Sequence, residues 1–274
     1  MPEPGSLDDY SPVVVSRNAV ELRVAVTGVG PRMLFLHGLA GTADSQRGNA
    51  PSGYTLASFD QRGHGSATPL TAPGDFAIDE FVADAIAVLD ALRWQNAIVC
   101  GASMGAAVAM KLAHGYPTRV RALLLVAPAF ADALNAATPV FDRIADTVEQ
   151  RGIEAAIGDA RRAWIERGVP LDRTVGLDAW RLHDPASMIS ALRTVSRWTP
   201  FPDLDAVMRA VRAPTVVACW PGDPMHPDAL ARRIADLASA PMTRFTSVAE
   251  AQGYPEHIGA ALAPLLGNLL LEAE

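Results

Sequence analysis

Short apolar runs separated by longer amphipathic stretches recur along most of the chain. Several runs contain almost only apolar side chains, as strands do when a parallel sheet is covered on both faces. The first two runs flank a turn at residues 17–18, which predicts a β-hairpin. The predicted strands are residues 12–16, 21–27, 33–36, 54–59, 98–100, 120–126, 215–219 and 244–247.

Helical periodicity fills many of the stretches between these runs. Residues 76–92 carry apolar side chains at helical spacing, at Phe81, Val82, Ile86, Leu89 and Leu92. Further helices are predicted up to residue 115, over residues 228–239 and over residues 257–271. Strands that alternate with helices in this way indicate a mostly parallel sheet with helices on both faces.

Strand patterns are absent between residues 131 and 212. Amphipathic helical patterns take their place and are broken at residues 168–170 and 199–200. We interpret residues 131–212 as a helical cap inserted into a core domain formed by residues 1–130 and 213–274. The predicted fold class is therefore α/β, with a mostly parallel eight-stranded sheet and an inserted helical cap.

The composition limits the kinds of partner. The chain has 274 residues, half of them apolar, and a net charge of −7. This charge argues against nucleic acid and an anionic membrane and leaves a small-molecule substrate as the expected partner, with the oligomeric state open. Cys100 and Cys219 each end an apolar run, which predicts buried thiols and implies no metal cluster. The first ten residues are expected to be a frayed tail without a signal peptide, and we expect a cytoplasmic protein.

The strongest chemical motif lies where a strand meets a helix. An apolar run ends at Gly101, and Ser103 and Gly105 follow before a run of small residues. This G-x-S-x-G pattern between a strand and a helix is typical of a nucleophile elbow, in which a sharp turn lifts the serine hydroxyl clear of the sheet. Glycines are needed on both sides because side chains there would collide across the turn. We predict that Ser103 is a nucleophile.

A serine nucleophile needs a base and an acid that orients the base. In enzymes with such an elbow these partners follow the serine in the order acid, then histidine. We predict Asp223, after the strand that follows the cap, as the acid, and His257, after the last predicted strand, as the base. His226 is the competing base, but its position three residues from Asp223 makes a joint role awkward. The alternative acids are Asp228 and Asp132.

Two backbone N–H groups are expected to hold the oxyanion of a tetrahedral intermediate. One belongs to Met104, next to the nucleophile. We assign the other to Leu39, because the H-G-L-A-G loop of residues 37–41 follows a predicted strand and lets the backbone approach closely. The neighbouring D-Q-R-G-H-G segment is interpreted as a structural turn, in which Asp60 and Arg62 are tied to the surrounding loops.

Together these motifs resemble the α/β-hydrolase superfamily: H-G-L-A-G, D-Q-R-G-H-G, G-A-S-M-G, P-G-D-P-M-H-P and a late histidine. The resemblance covers essentially the whole chain and places the insertion where that superfamily carries its cap. It implies the α/β-hydrolase fold and a serine hydrolase that needs no cofactor and no metal. The implied roles are Ser103 as nucleophile, Asp223 as acid, His257 as base, and Leu39 and Met104 as oxyanion donors.

The expected reaction is hydrolysis of an ester, lactone or thioester-like bond of a small molecule through an acyl-enzyme on Ser103. Alternatives are C–C bond hydrolysis, lyase or cofactor-free perhydrolase chemistry with the same residues, and a non-catalytic ligand-binding module. A serine at this position argues against epoxide hydrolase chemistry, which needs a carboxylate nucleophile. The residues expected to line the substrate pocket are Phe130, Trp164, Met225 and Trp198, and those that could meet a substrate carboxylate are Arg161, Arg162 and Arg193.

Overall fold

The computed structural model describes residues 12–272, so the tail expected over residues 1–10 lies outside the described part. One eight-stranded sheet forms its centre, with strands in the spatial order β1-β2-β4-β3-β5-β6-β7-β8. Only the pairs β1–β2 and β2–β4 are antiparallel. The strands are β1 (Val13–Arg17), β2 (Val20–Thr27), β3 (Arg32–Leu36), β4 (Thr55–Phe59), β5 (Ala97–Ala102), β6 (Val120–Val126), β7 (Thr215–Cys219) and β8 (Met242–Arg244). The predicted mostly parallel sheet of eight strands is confirmed.

Helices cover both faces of this sheet. Alternate residues of β3 point to opposite sides, so Leu34 and Leu36 join the core under α2, α3 and α8, whereas Met33 and Phe35 join the core under α10. The helices are α1 (Ala43–Gln46), α2 (Ile78–Ala91), α3 (Met104–Gly115), α4 (Thr138–Arg151), α5 (Ile153–Glu166), α6 (Pro185–Val195), α7 (Leu204–Ala210), α8 (Asp228–Ala238), α9 (Val248–Gln252) and α10 (Pro255–Glu272).

The last strand and the final helix differ from the prediction. β8 overlaps the predicted strand only at Arg244, and a short helix, α9, begins directly after the range in which the strand was expected. Ser247 begins this helix because its hydroxyl accepts a hydrogen bond from the Glu250 N–H. The final helix consequently starts at Pro255, two residues before the predicted start.

The segment between β6 and β7, which we call the cap segment, contains the helices α4 to α7 and no strand within residues 127–214. It has its own small core, in which Phe141 and Val148 of α4 pack with Leu192 of α6. Arginines on its outer surface pair with carboxylates of neighbouring helices, as Arg193 does with Asp146. Among residues 12–272 we find no helix that is both long and apolar enough to cross a bilayer.

The turn after β4 is fixed by buried charges. Asp60 accepts hydrogen bonds from the N–H groups of Ala43 and Ser66. The Arg62 side chain is 2% exposed and donates to the equally buried carboxylate of Asp84 on α2, with Nε 2.6 Å from Oδ2. This geometry agrees with the structural role predicted for the turn.

Three histidines pack edge to face where the core meets the cap segment. The ring centroids of His37 and His64 lie 5.2 Å apart, and those of His64 and His183 lie 5.5 Å apart. Burial lowers the pKa of His37 to about 4, and it also lowers the pKa values of His64 and His183. The Asp60 carboxylate partly opposes this effect on His37 and His183.

We expect the free energy of unfolding to fall as the pH is lowered from 7 to 5. These histidines bind protons more readily in the unfolded chain than in the fold. Below the unfolded pKa of about 6.5, the fold therefore loses up to about 1.4 kcal/mol per pH unit for each of them until the pH reaches the lowered pKa of that histidine in the fold. Urea unfolding at pH 7, 6 and 5 measures this slope. His183→Gln should reduce it, whereas the exposed His114→Gln should not; a slope unaffected by His183→Gln would contradict the assignment.

Candidate active site

The predicted nucleophile elbow has the backbone geometry that its glycines allow. Ser103 lies between β5 and α3 with φ 54° and ψ −110°, a conformation that non-glycine residues rarely adopt. A Cβ atom on Gly105 would lie 2.0 Å from the Leu36 carbonyl oxygen, and one on Gly101 would lie 2.2 Å from the Gly105 carbonyl oxygen. Both positions therefore require glycine, and the turn holds the Ser103 side chain above the carboxyl end of the sheet.

The histidine that contacts this serine is His226. Its Nε2 atom lies 2.9 Å from Ser103 Oγ, and its Nδ1 atom lies 2.7 Å from Asp223 Oδ2. The carboxylate can only accept a hydrogen bond, so Nδ1 carries the proton and Nε2 is free to accept the serine proton. Serine, histidine and aspartate thus form one continuous hydrogen-bonded chain.

The structure contradicts the prediction that His257 is the base. His257 is exposed on the first turn of α10, where its ring stacks on Tyr254 with centroids 4.9 Å apart. α9 is inserted between β8 and α10, and this helix moves residue 257 away from the edge of the sheet where strands end. The residue after β8 that does reach the acid is Gln252, at the end of α9.

A short turn after β7 lets Asp223 and His226 work together despite their separation of three residues. Asp223 Oδ1 accepts a hydrogen bond from the Met225 N–H, and the Asp223 carbonyl accepts one from the His226 N–H. The carboxylate therefore folds back over its own turn, and the side chain three residues later reaches its other oxygen. Pro224 lies within this turn and Pro227 follows it, and both restrict its backbone.

The Asp223 carboxylate is completely buried yet held in its charged form. Burial alone would raise its pKa, but the neighbouring His226 and the hydrogen bonds from His226, Trp220 and Met225 lower the pKa below its usual value. Oδ2 accepts from Trp220 Nε1 at 3.1 Å and from Gln252 Nε2 at 2.9 Å in addition to His226. The alternative acids are engaged elsewhere, because Asp132 pairs with Arg233 and Asp228 pairs with Arg232 and Arg244.

The two backbone groups predicted as oxyanion donors lie on segments that border the serine. Met104 is the first residue of α3, where the N–H has no partner within the helix. The loop that carries Leu39 touches the nucleophile, since a Cβ atom on Gly38 would lie 3.0 Å from Ser103 Cβ. Gln46 holds this loop by accepting the Gly38 N–H at 2.7 Å. The arrangement is compatible with an oxyanion hole, which remains a prediction.

A cavity of about 980 Å³ opens above the serine between the sheet and the cap segment. Trp164 and Met225 line it as predicted, but Phe130 does not, because it is fully buried against Phe141 and Trp198. Trp198 is also buried in the core, where its Nε1 donates a hydrogen bond to the Phe76 carbonyl. Other large apolar residues of the cavity wall include Leu39, Val140, Phe141, Ile144, Leu177, Trp180, Leu192 and Trp220.

The cap arginines considered for a substrate carboxylate already have carboxylate partners. Arg161 pairs with Asp178, and Arg162 pairs with Asp159. Arg193 pairs with Asp146 and Glu149, and none of the three arginines lines the cavity. The pair of Arg162 and Asp159 has the spacing of neighbours on one helix, whereas the partners of Arg161 and Arg193 are distant in the sequence and spacing could not show them.

The cysteines are free and buried, as predicted, and burial raises the pKa of Cys100 to about 12. Neither thiol is placed to act as a nucleophile, since the thiolate form is disfavoured. Within residues 12–272, no three His, Cys, Asp or Glu side chains are grouped so that they could hold a metal ion.

Comparisons with known proteins give relatives of several activities. An epoxide hydrolase of Caballeronia sordidicola is 28% identical over 177 residues, which are 61% of this chain and 51% of that protein. The 3-oxoadipate enol-lactonase 2 of Acinetobacter baylyi is 31% identical over 116 residues, 42% of this chain and 41% of that protein. This chain therefore spans about half or less of the length of these two curated relatives.

Solved structures share the fold over almost the whole chain. The enol-lactonase from Burkholderia xenovorans LB400 has a TM-score of 0.77 at 18% identity, covering 93% of this chain and 100% of that one. A thermophilic esterase from Thermogutta terrifontis has a TM-score of 0.76 at 19% identity, covering 95% and 99%. The alpha/beta hydrolase fold family matches residues 31–200. With the elbow, the sheet order and this match in agreement, the chain belongs to the α/β-hydrolase fold family.

Proposed function

We propose that this protein is a serine hydrolase that cleaves an ester, lactone or thioester-like bond of a small molecule through an acyl-enzyme on Ser103. The observation that carries this proposal is the position of His226, which joins Ser103 Oγ at 2.9 Å to Asp223 Oδ2 at 2.7 Å. A serine hydroxyl is a weak nucleophile alone, and a base within hydrogen-bond distance removes its proton during attack.

The hydrogen bonds assign the proton movements. His226 Nε2 takes the Ser103 proton while the serine oxygen attacks the carbonyl carbon, and Asp223 stabilises the resulting imidazolium. The N–H groups of Leu39 and Met104 hold the oxyanion. His226 then gives its proton to the leaving oxygen or sulfur as that bond breaks. Water, deprotonated by His226, releases the acid from Ser103 and restores the enzyme.

The cavity favours a substrate with a substantial uncharged, apolar part. Aromatic and aliphatic side chains of the cap segment, including Phe141 and Trp164, form much of its wall. Apolar walls bind apolar groups by removing their surface from water. Charged side chains, among them Arg143, Asp159 and Arg167, also line the cavity and can bind polar groups of the substrate. The enol-lactonase and esterase similarities favour a carboxylic ester or lactone. A serine instead of a carboxylate at position 103 disfavours the chemistry of the epoxide hydrolase relatives.

A fluorophosphonate probe tests the proposal directly, because it labels only serines that a neighbouring base activates. We expect stoichiometric labelling of the purified protein at Ser103, located by peptide mass spectrometry, and no labelling of Ser103→Ala. Hydrolysis of p-nitrophenyl esters should be lost in the same variant. Ser187, a buried serine whose hydroxyl donates to the Gly63 carbonyl, serves as the internal control and should stay unlabelled. A protein that binds esters but is not labelled at Ser103 would be a binding module instead.

A further inference from the structure

The Gln252 side chain contacts the Asp223 carboxylate, and the reaction steps described above assign no role to this contact. Its side-chain Nε2 donates to Asp223 Oδ2 at 2.9 Å, the same oxygen that accepts the hydrogen bond from His226 Nδ1. Because a carboxylate oxygen only accepts hydrogen bonds, the amide nitrogen and not the amide oxygen must face it. The orientation of the Gln252 side chain is thereby fixed by the charge of the acid.

The other end of the same amide is left without a partner. Gln252 Oε1 is buried and has no hydrogen-bond partner among the described residues. Within the described part of the chain, the polar contact of this side chain is therefore its hydrogen bond to the Asp223 carboxylate, a bond to a buried charged group.

Gln252 also approaches the acid from a different element than the other donors do. The other donors belong to the turn that follows β7 and are Trp220, Met225 and His226, whereas Gln252 lies at the end of α9. A carboxylate held only by its own turn could rotate with that turn. A donor from a second element opposes this rotation and keeps Oδ2 directed at the His226 ring.

We propose that Gln252 is a positioning residue, whose amide holds the Asp223 carboxylate in the orientation that His226 needs. This inference rests on the proposed Ser103–His226–Asp223 function. It makes Gln252 important for turnover through the orientation of Asp223, so the loss of its amide should change kcat and the pH profile of the reaction, which a purely structural residue would not do.

The experiment compares Gln252→Leu with the unmodified full-length protein. We expect the rate of Ser103 labelling by a fluorophosphonate probe, and kcat on a p-nitrophenyl ester, to fall about 10- to 100-fold, as small misplacements in active sites do. KM should change little, because the Gln252 amide acts through Asp223. Glu250→Gln is the matched control on the same helix, since Glu250 bonds Thr246 and not the acid; it should keep the original rates.

A second variant gives a readout that packing alone would not move. In Gln252→Glu, the new carboxyl group can donate a hydrogen bond to Asp223 Oδ2 only while it is protonated. We therefore expect kcat/KM of this variant to fall as the pH rises through the ionisation of that carboxyl group, a dependence that the unmodified protein and Gln252→Leu lack. An unmodified protein that is not labelled would refute the proposed function itself. If it is labelled, two results would overturn the role of Gln252. One is an unchanged rate in Gln252→Leu. The other is a rate loss accompanied by a fall in Tm, together with a pH profile of Gln252→Glu that equals that of the unmodified protein.

Discussion

His226→Ala should lower kcat by at least about 10³-fold, as removal of the base does in serine hydrolases. The variant loses both the acceptor of the Ser103 proton and the partner of the Asp223 carboxylate. His257→Ala should keep kcat within about two-fold, because surface substitutions away from the chemistry have small effects. Steady-state kinetics on one p-nitrophenyl ester, with folding checked by circular dichroism, give the comparison.

The double variant sharpens this prediction. Residues that act as one catalytic unit have non-additive effects, so Ser103→Ala combined with His226→Ala should be no slower than the slower single variant. The opposite ranking, in which His257→Ala is inactive and His226→Ala is active, would show that His257 is the base, as predicted from the sequence. It would also require the contacts of His226 in the structure to be non-productive.

Much of the fold could be predicted because strands that are buried on both faces of a sheet consist almost only of apolar residues, which are easy to recognise in a sequence. The strands β5, β6 and β7 are almost entirely apolar and are flanked by helical periodicity, so their type and order are evident from residues alone. The edge strand β8 has only three residues, none of them buried, and lacks this signal. Ser247 and Glu250 carried the missing information, since a serine followed three residues later by a glutamate is a sign of a helix start.

The nucleophile could be predicted and the base could not, for a physical reason. The elbow depends on local backbone geometry, which the glycines around Ser103 reveal within five residues. The base depends on which of two histidines after the cap reaches Ser103 in space, and chain order favoured His257. The signal for His226 was its position three residues after Asp223 in a turn with two prolines, where the carboxylate can fold back onto its own turn.

The pocket residues were the least predictable part of the site. Trp164 and Phe130 are both aromatic residues of the region after β6, yet one lines the cavity and the other is buried in the core. The difference arises from how the cap helices pack on one another, and amphipathic patterns do not determine that packing. The pairing of Arg161 with Asp178 depends on the same long-range arrangement.

Asp84→Asn should have the largest effect on stability, a loss of about 3–5 kcal/mol in the free energy of unfolding. Its carboxylate binds two arginines, Arg62 at 2.6 Å and Arg17 at 2.7 Å, and both the Asp84 and Arg62 side chains are only 2% exposed. A neutral amide in its place leaves the buried Arg62 guanidinium with one remaining acidic partner, the Glu80 carboxylate at 3.2 Å, which is 36% exposed. Urea unfolding at pH 7 measures the loss.

Asp90→Asn is the matched control, because Asp90 lies on the same helix and also pairs with an arginine, Arg119 at 2.8 Å. Its side chain is 62% exposed, so water already screens the pair and its removal should cost at most about 1 kcal/mol. Equal losses in the two variants would show that the buried pair contributes no more than a surface pair. A larger loss for Asp84→Asn would show that the buried pair stabilises the fold more than the surface pair does. Arg62 lies in the turn after β4, and the neighbouring Gln61 donates its N–H to His37 Nε2 in the loop of residues 37–41. The buried charges are thus linked to the same loop that we expect to hold the oxyanion.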